Sequence, residues 1–410
     1  MKLFVGIDVS SKELEVAMLT SESTKQLFRA HVPNDLNGAS EIKQKILELN
    51  EAYQFEQTVI AMESTSVYSF HPAFFFKNDA ELSALNVEAV LLNPRDTKRY
   101  KDIFEASKSD SIDAFYIADF LRTGHYTTGI VRQEEYLALQ RLTRSRFEVV
   151  QSLTRSKQHF IENLYYKVNK LAVEPLGTSL FGSTMMELLT ADISTEDLAA
   201  LPLEGLANFL DQKSHGRFSD PQKLAETIQK AIRGSYRLNQ VVSESVDTVL
   251  AIYANEIKMY QKIIAQLRKS IEKILEMIPE GQILQSIPGI GPVYSAGILA
   301  EIGQIERFDN EAKLAKYAGL AWKRNQSGNF EGQKTPMLHT GDTYLRYYLI
   351  EAANSIIHYD PVFKKYFDKK MSEIKNAPRK RALSLTARKL IRVIYYLLSR
   401  HQIYQSEEVV

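Results

Sequence analysis

Carboxylates occur at comparable points in separated segments of the chain. Asp8 and Glu63 each lie in a short apolar, β-branched run typical of a buried strand, which fixes the direction of their side chains. Asp110 and Asp113 precede an apolar pattern with helical spacing, so both lie on one helix face. Such a group of anions needs cations, because repulsion and lost hydration otherwise raise the pKa values. We predict a metal site for Mg²⁺, which prefers hard oxygen ligands.

Each carboxylate also has an ordinary structural explanation when taken singly. Asp8 could end a strand, Glu63 could cap the next element, and Asp110 with Asp113 could form the first turn of a helix. The ordered occurrence of all of them on strands and a following helix favours a shared site.

The elements around these carboxylates predict an α/β domain. Alternating apolar residues indicate an antiparallel meander that leads into a βαβ unit, and the last strand ends at the turn signal Asn93-Pro94. Carboxylates on the first strand, a later strand and a following helix are the ribonuclease H-like arrangement, which by itself does not fix a function. Further strands are predicted over 14–19, 26–32 and 87–92, with a helix over 42–49.

A glycine-rich motif marks the last third of the chain. The sequence IPGIG at 287–291 precedes an apolar helix, which is typical of a helix-hairpin-helix. Gly289 and Gly291 allow a tight hairpin, and the N–H groups of the next helix can bind a phosphate; an ordinary interhelical turn is the alternative. Ser327 lies in a polar, loop-like stretch where serine is usually a turn residue. Nearby Lys323 and Arg324 are expected to be loop charges that contact backbone phosphates.

Two long amphipathic stretches lie between these regions. Their near-heptad spacing, over 139–171 and 242–278, predicts an antiparallel coiled-coil stalk, and the segment 171–236 predicts an insertion of short helices. Basic side chains beside the first seam are candidate contacts to nucleic-acid phosphates, with solvated faces as the alternative. These side chains are Arg141, Arg144 and Arg146, with Arg155 and Lys157 further along the stretch.

The charge of the chain is unevenly distributed. The formal net charge is only +1, yet residues 361–402 hold twelve Lys or Arg against two acids, Asp368 and Glu373. Such a segment favours a polyanionic partner. Its candidate nucleic-acid contacts are Lys380, Arg381 and Arg388. Tyr395 to Leu398 are expected to be core residues.

Several motifs together resemble the DEDD transposases of bacterial insertion sequences, whose N-terminal domain is similar to RuvC. GIDVS at 6–10, MEST at 62–65, NP at 93–94 and KSDSIDA at 108–114 resemble that domain. IPGIGP at 287–292, EIG at 301–303, YAGL at 317–320 and QSG at 326–328 resemble the second, serine transposase domain in the same order. The resemblance implies a DNA recombinase with Mg²⁺ at Asp8, Glu63, Asp110 and Asp113. It also implies that Ser327 is the nucleophile and that an element-encoded guide RNA is a partner. Stabilisation of the phosphorane formed at Ser327 is then the alternative role for Lys323 and Arg324.

The expected organisation has three parts. A RuvC-like domain is predicted over 1–130, a coiled-coil stalk with its insertion over 131–280, and a mainly helical domain with a basic tail over 281–410. Separate basic faces indicate a homo-oligomer, a dimer or tetramer, assembled on donor and target DNA. The chain has no cysteine, no apolar stretch of the roughly 18 residues that span a bilayer, and no signal-peptide pattern. We expect no membrane partner and a bacterial cytoplasmic location.

Other functions remain open at this point. The nearest is a metal-dependent RuvC-like nuclease or Holliday-junction resolvase without a covalent serine intermediate. An actin-like ATPase or sugar kinase is suggested by GIDVSSK at 6–12, but the second phosphate loop that such a fold needs is missing from the sequence. A nucleic-acid scaffold without activity is separated from these enzymes by a test for Mg²⁺-dependent strand cleavage.

Overall fold

The computed structural model divides into two compact units, Met1–Gln133 and Glu134–Val410. Within the part of the chain that it describes, no helix is long and apolar enough to cross a membrane. The described residues are 1–64, 67–104, 110–124, 129–130, 134–190, 195–322, 326–327, 330–331, 337 and 340–405.

The first unit is built on a mixed sheet with the strand order β3-β2-β1-β4-β5-β6. Strands β1, β2 and β3 form an antiparallel meander, and β4 and β5 extend the sheet in parallel with β1. The predicted meander and parallel extension are therefore confirmed, whereas the short antiparallel edge strand β6 was not predicted. The strands are β1 (Lys2–Val9), β2 (Glu13–Thr20), β3 (Ser23–Pro33), β4 (Gln57–Glu63), β5 (Val87–Leu92) and β6 (Gly129–Ile130).

Helices cover both faces of this sheet. Helices α1 and α2 bury Ile42, Ile46 and Phe76 against one face, and α5 buries Ile117 and Leu121 against the other. The helices are α1 (Leu36–Tyr53), α2 (Phe70–Asn78), α3 (Ala80–Ser83), α4 (Pro94–Phe104) and α5 (Asp110–Arg122), with a 3₁₀ turn at Val67–Ser69.

The Asn93-Pro94 signal marks the start of a helix rather than only a turn. Asn93-Pro94 indicated only a turn, but Pro94 is the first residue of α4. The Asn93 side chain accepts a hydrogen bond from the Arg95 N–H at 3.0 Å. Proline suits the first helical position, because its φ angle is preset and an N–H there has no partner within the helix.

A glycine sets the distance between α5 and the sheet. A Cβ atom on Gly6 would lie 2.2 Å from the Ala114 carbonyl oxygen and 2.4 Å from the Ala118 nitrogen. Only a residue without a side chain lets the backbone of α5 approach β1 this closely. The first turns of α5 are thereby fixed over the carboxyl-terminal half of β1.

Two long helices form the frame of the second unit. They run antiparallel, because Leu139 near the start of α6 packs with Ile271 of α12, while Leu164 near the end of α6 packs with Leu250. Short helices pack around the second of these ends. The helices are α6 (Glu134–Lys167), α7 (Asn169–Val173), α8 (Ser183–Leu189), α9 (Thr195–Ala200), α10 (Leu203–Ser214), α11 (Pro221–Arg233) and α12 (Gln240–Leu275).

The rest of the second unit is mainly helical. Its core includes Leu299, Tyr348 and Ile391. In the basic tail Leu397 and Leu398 are buried as expected, but Tyr396 is 41% exposed, so the core prediction was wrong for that residue. The elements are α13 (Pro279–Gln285), α14 (Pro292–Ile302), α15 (Glu311–Tyr317), β7 (Gln326–Ser327), β8 (Phe330–Glu331), α16 (Thr343–Ile356), α17 (Pro361–Glu373) and α18 (Pro378–Arg400), with a 3₁₀ turn at Ile305–Arg307.

Candidate active site

Two of the predicted carboxylates lie at the carboxyl ends of neighbouring parallel strands. Gly6 of β1 is in register with Ala61 of β4, and Asp8 and Glu63 each follow two residues later. Because side chains alternate along a strand, Asp8 and Glu63 share the face that α5 covers. Both side chains are half-buried. Strand geometry therefore places these two carboxylates side by side.

Helix α5 adds a third carboxylate to this region. Asp113 immediately precedes Ala114, whose carbonyl packs against Gly6 of β1. Burial raises the pKa of Glu63, and the negative charge of Asp113 raises it further. Asp113 is thus close enough to Glu63 for the two charges to interact. Asp110 is the first residue of α5, and its side chain lies outside the described residues.

Helix α4 contacts two of these carboxylates from the same face. The Thr97 hydroxyl donates a hydrogen bond to Glu63 Oε1, and Lys101 Nζ, one turn later, donates to Asp113 Oδ1. Burial remains the largest influence on the pKa of Glu63 and raises it, whereas the Thr97 hydrogen bond and the positive charge of Lys101 lower it. Sequence reasoning missed Thr97 and Lys101. Their spacing of four residues on a helix that follows β5 was the available signal.

A second acidic group continues the row across the sheet. Asp8 is in register with Glu15 of β2, which is in register with His31 of β3. His31 Nδ1 and Glu15 Oε1 are 2.6 Å apart, and this contact raises the pKa of His31. Sequence reasoning did not select Glu15 or His31, although the alternation of β2 places Glu15 on the face of Asp8.

The donor set of this site suits a hard divalent cation. Carboxylate oxygens are the ligands that Mg²⁺ prefers, and the Lys101 ammonium already bonds to Asp113 as a cation would. Among the side chains that the structure describes, no three His, Cys, Asp or Glu residues are grouped closely enough to hold one metal ion. Asp110, the fourth predicted ligand, is not among those side chains. The described part of the site fits a cation without defining a complete ligand shell.

The predicted nucleophile lies in a short strand rather than in a loop. Ser327 belongs to β7, where its backbone pairs with Phe330 of β8. Its side chain, and the whole of Lys323 and Arg324, lie outside the described residues. Their predicted roles stay predictions.

The glycine-rich motif forms the connection between α13 and α14. Gly289 has a φ angle of +82°, a conformation that favours glycine, and a Cβ atom there would lie 2.7 Å from the Tyr359 ring. The Ser355 hydroxyl donates a hydrogen bond to the Gly289 carbonyl at 2.7 Å. Gly291 caps α14 and is exposed, with open space where a side chain would lie. The connection between α13 and α14 is therefore packed against other residues at Gly289 and exposed at Gly291.

Among the predicted arginines of α6, Arg144 forms an ion pair within its own unit. Its Nε and Nη2 atoms donate to Glu301 at 2.7 and 2.8 Å, and the Glu301 side chain is fully buried. Arg144 therefore compensates a buried charge, and we do not propose it as a phosphate contact. Arg141 is exposed, whereas Arg146 is half-buried and its charge lowers the pKa of Glu351, which burial raises.

The basic residues of α18 differ in their surroundings. Lys380 and Arg381 are exposed in the first turn of the helix. Arg388 is half-buried, and its guanidinium lies 3.4 Å from the Glu311 carbonyl oxygen. Burial lowers the pKa of Arg388, and the neighbouring positive charge of Arg392 lowers it further. Lys380 and Arg381 are the more accessible of the predicted contacts.

Two family models match the chain in the predicted order. A DEDD IS110 transposase model matches residues 5–166, and a model described as transposase IS116/IS110/IS902 family matches residues 281–368. Together they cover more than half of the chain. This chain belongs to the IS110 family of DEDD transposases. The prediction of an insertion-sequence transposase is thereby confirmed, and the enzyme class is that of a DNA transposase or recombinase.

Individual relatives of this IS110-family chain are distant in sequence. An IS110 insertion-element protein of Streptomyces coelicolor is 28% identical over 40% of this chain and 39% of its own length. A mini-circle transposase for IS117, also from Streptomyces coelicolor, is 24% identical over 81% of this chain and 80% of its own length. A pilin gene-inverting protein of Moraxella bovis is 28% identical over 39% of this chain and 51% of its own length.

Among solved structures, the IS110-family chain is similar to T. thermophilus RuvC in complex with Holliday junction substrate. The alignment has 15% identity and a TM-score of 0.24, and it covers 31% of this chain and 99% of that chain.

Proposed function

We propose that this chain cuts and rejoins DNA at the ends of an insertion sequence through a ribonuclease H-like DEDD site and a serine nucleophile. The observation that carries the proposal is the juxtaposition of Glu63 and Asp113 beside α4, with Asp8 on the neighbouring strand of the same sheet face. A solvated surface would not need two half-buried carboxylates so close to each other, because the repulsion costs stability.

Asp8, Glu63, Asp110 and Asp113 would hold Mg²⁺ in this proposal. When bound, Mg²⁺ would polarise the attacked phosphodiester and lower the pKa of a hydroxyl nucleophile. Other residues of the chain position these ligands. Thr97 orients the Glu63 carboxylate through its hydrogen bond, and the close contact at Gly6 fixes Asp113 over the ends of β1 and β4. Ligands held in this way lose little freedom when a cation binds.

Ser327 supplies the covalent chemistry in this proposal. Its Oγ would bond to a DNA phosphorus as the bond from that phosphorus to the departing sugar oxygen breaks, and the hydroxyl proton would leave as that sugar oxygen gains one. The phosphoserine keeps the phosphodiester energy for the rejoining step, in which the reverse exchange occurs with a new DNA end. The family resemblance of QSG at 326–328 supports this role.

Nucleic-acid binding would use several accessible features of the second unit. The exposed Gly291 at the start of α14 suits a phosphate in a helix-hairpin-helix, and Arg141, Lys380 and Arg381 offer exposed charge. We propose DNA and an element-encoded guide RNA as partners, an oligomer as the active form, and the bacterial cytoplasm as the location. The packing of α6 on α12 supports a coiled-coil stalk, as in the three-part division 1–130, 131–280 and 281–410.

Strand cleavage by an Asp113→Asn variant tests the carboxylate site. The assay contains the DNA ends of the element, RNA transcribed from the sequence that flanks the coding region, and Mg²⁺. We expect the variant to lose cleavage, because one anionic ligand is lost, and to keep its fold and its nucleic-acid binding. Asp102→Asn is the matched control. Asp102 is exposed on α4, and its substitution removes the same charge outside the carboxylate site. Equal cleavage by the two variants would contradict the metal site. Cleavage without rejoining or a covalent adduct would favour the plain nuclease.

A further inference from the structure

Helix α4 presents two chemically different residues to the carboxylate site. Thr97 is a neutral donor to Glu63, whereas Lys101 brings a full positive charge to Asp113. The side chain of Lys101 is 13% exposed and that of Asp113 is 25% exposed. Lys98, three residues before Lys101 on α4, is exposed to solvent. Only one of these two lysines is therefore directed into the site.

The position of Lys101 has an electrostatic consequence beyond its single hydrogen bond. An ammonium group that is largely removed from water is stable only beside an anion, so Lys101 and Asp113 depend on each other. The charge of Lys101 also lowers the pKa of Glu63, which shows that its field reaches a second carboxylate. Lys101 thus neutralises part of the repulsion that a divalent cation would otherwise have to remove.

We propose that Lys101 is the resident counter-ion of the carboxylate site and that a divalent cation displaces it from Asp113. This inference rests on the proposed metal-dependent function. Lys101 is a positioning residue in this scheme, since it acts through Asp113 and Glu63. Before the cation binds, its ammonium pairs with Asp113 and holds that carboxylate in place; when the cation binds, the ammonium and the metal compete for the same Asp113 oxygen.

The competition predicts an unusual sign for a charge-removing variant. If Lys101 only helped to arrange the ligands, removing it would weaken metal binding. If it competes with the metal, removing it leaves a more anionic site without a rival cation, and metal binding becomes tighter. Lys101→Arg predicts the opposite change, because a guanidinium can pair with a carboxylate through two hydrogen bonds and is harder to displace.

Calorimetric titration of Mn²⁺ into the full chain without nucleic acid separates these possibilities. Mn²⁺ takes the same oxygen ligands as Mg²⁺ and binds them more tightly than Mg²⁺ does. We expect Lys101→Gln to lower the dissociation constant on the order of tenfold, which one nearby unit charge can supply, and Lys101→Arg to raise it. Lys98→Gln removes the same charge from an exposed position on α4, and screening should limit its effect to about twofold.

A second measurement keeps the inference testable without activity. Without metal, Lys101→Gln should melt at a lower temperature than the parent, because Asp113 and Glu63 lose their counter-ion, and Mn²⁺ should raise its melting temperature more than the parent's. Tighter binding by Lys101→Gln with weaker binding by Lys101→Arg supports the inference. If Lys101→Gln binds like Lys98→Gln or more weakly, the inference fails although the metal site stands. If the parent and Asp113→Asn both bind no Mn²⁺, the metal site itself fails.

If Lys101→Gln does not fold, the Lys101→Arg titration decides alone. That variant keeps the charge and the pairing with Asp113, so it is expected to fold. A dissociation constant at or below the parent's would overturn the inference.

Discussion

The substitution Gly6→Ala tests the argument that α5 positions the carboxylate site. The added Cβ atom would meet the Ala114 carbonyl oxygen at 2.2 Å and the Ala118 nitrogen at 2.4 Å, and ordinary contact begins at 3.4 Å. Both atoms belong to the backbone of α5, so no side chain can turn away, and the helix must move by about 1 Å.

The magnitude follows from these contacts. Overpacking a core costs about 1–3 kcal/mol, and because both clashes are with backbone atoms, we expect Gly6→Ala to cost about 3 kcal/mol. Alanine also restricts the unfolded chain, which offsets less than about 1 kcal/mol. The melting temperature of the first unit, which contains Gly6, should then fall by roughly 10 °C. A shift of about 1 Å in Asp113 relative to Glu63 should reduce DNA cleavage about 100-fold.

The assay combines calorimetric melting with strand cleavage in Mg²⁺. Gly205→Ala is the matched control, because Gly205 lies in α10 with its nearest atom, Pro202 Cδ, 3.9 Å from the added Cβ. That substitution should stabilise the chain by about 0.5–1 kcal/mol. A Gly6→Ala protein with the parent's melting temperature and cleavage rate would refute the positioning role of α5.

Three further outcomes are expected. Because burial raises the pKa of Glu63, its ionisation costs stability as the pH rises through that pKa; Glu63→Gln should therefore raise the metal-free melting temperature at neutral pH, and this gain should vanish below about pH 4, near the ordinary glutamate pKa. Arg144→Met should cost about 3–5 kcal/mol in denaturant unfolding, since it leaves a buried carboxylate unpaired, whereas Arg155→Met on the exposed side of α6 should cost less than about 0.5 kcal/mol. The double variant Lys380→Ala with Arg381→Ala should weaken DNA or RNA binding and reduce its dependence on salt by about one unit of slope per lost phosphate contact; an unchanged slope would remove these residues from the interface.

The elements of the first sheet could be predicted because their signal is local. The alternation in β2 and the apolar runs of β1, β4 and β5 are visible in any short window. The start of α4 was missed because Pro94 is equally at home in a turn and in the first helical position. The two-residue strand β6 is too short for any period to appear.

The candidate site was only partly visible in the sequence. Asp8, Glu63 and Asp113 could be selected as candidate ligands because their positions in strands and a helix follow from residue spacing. Thr97 and Lys101 contact the carboxylates only because α4 packs beside them. Glu15 contacts His31 because of the register between β2 and β3, which the sequence does not reveal. Such partners depend on tertiary contacts.

Arg144 shows the same limit from the opposite direction. In the sequence it resembles a phosphate contact beside an apolar seam, but the fold pairs it with Glu301, 157 residues away. A buried acid on a distant helix leaves no local signal near the arginine. Charge patterns therefore predict that a segment is basic more reliably than they predict which basic residue is free to bind.

The most direct test of the proposed recombinase is the detection of DNA covalently attached to Ser327. Labelled DNA with the ends of the element, incubated with the chain, its flanking transcript and Mg²⁺, should yield a protein–DNA adduct that survives denaturation. Mass spectrometry should place the phosphate on the peptide that contains Ser327. The adduct should be absent in Ser327→Ala while DNA and RNA binding persist, since one hydroxyl contributes little to binding and all of the covalent step. A Ser327→Ala protein that cuts and rejoins DNA at the parent's rate would contradict the serine mechanism and leave a hydrolase built on the carboxylates alone.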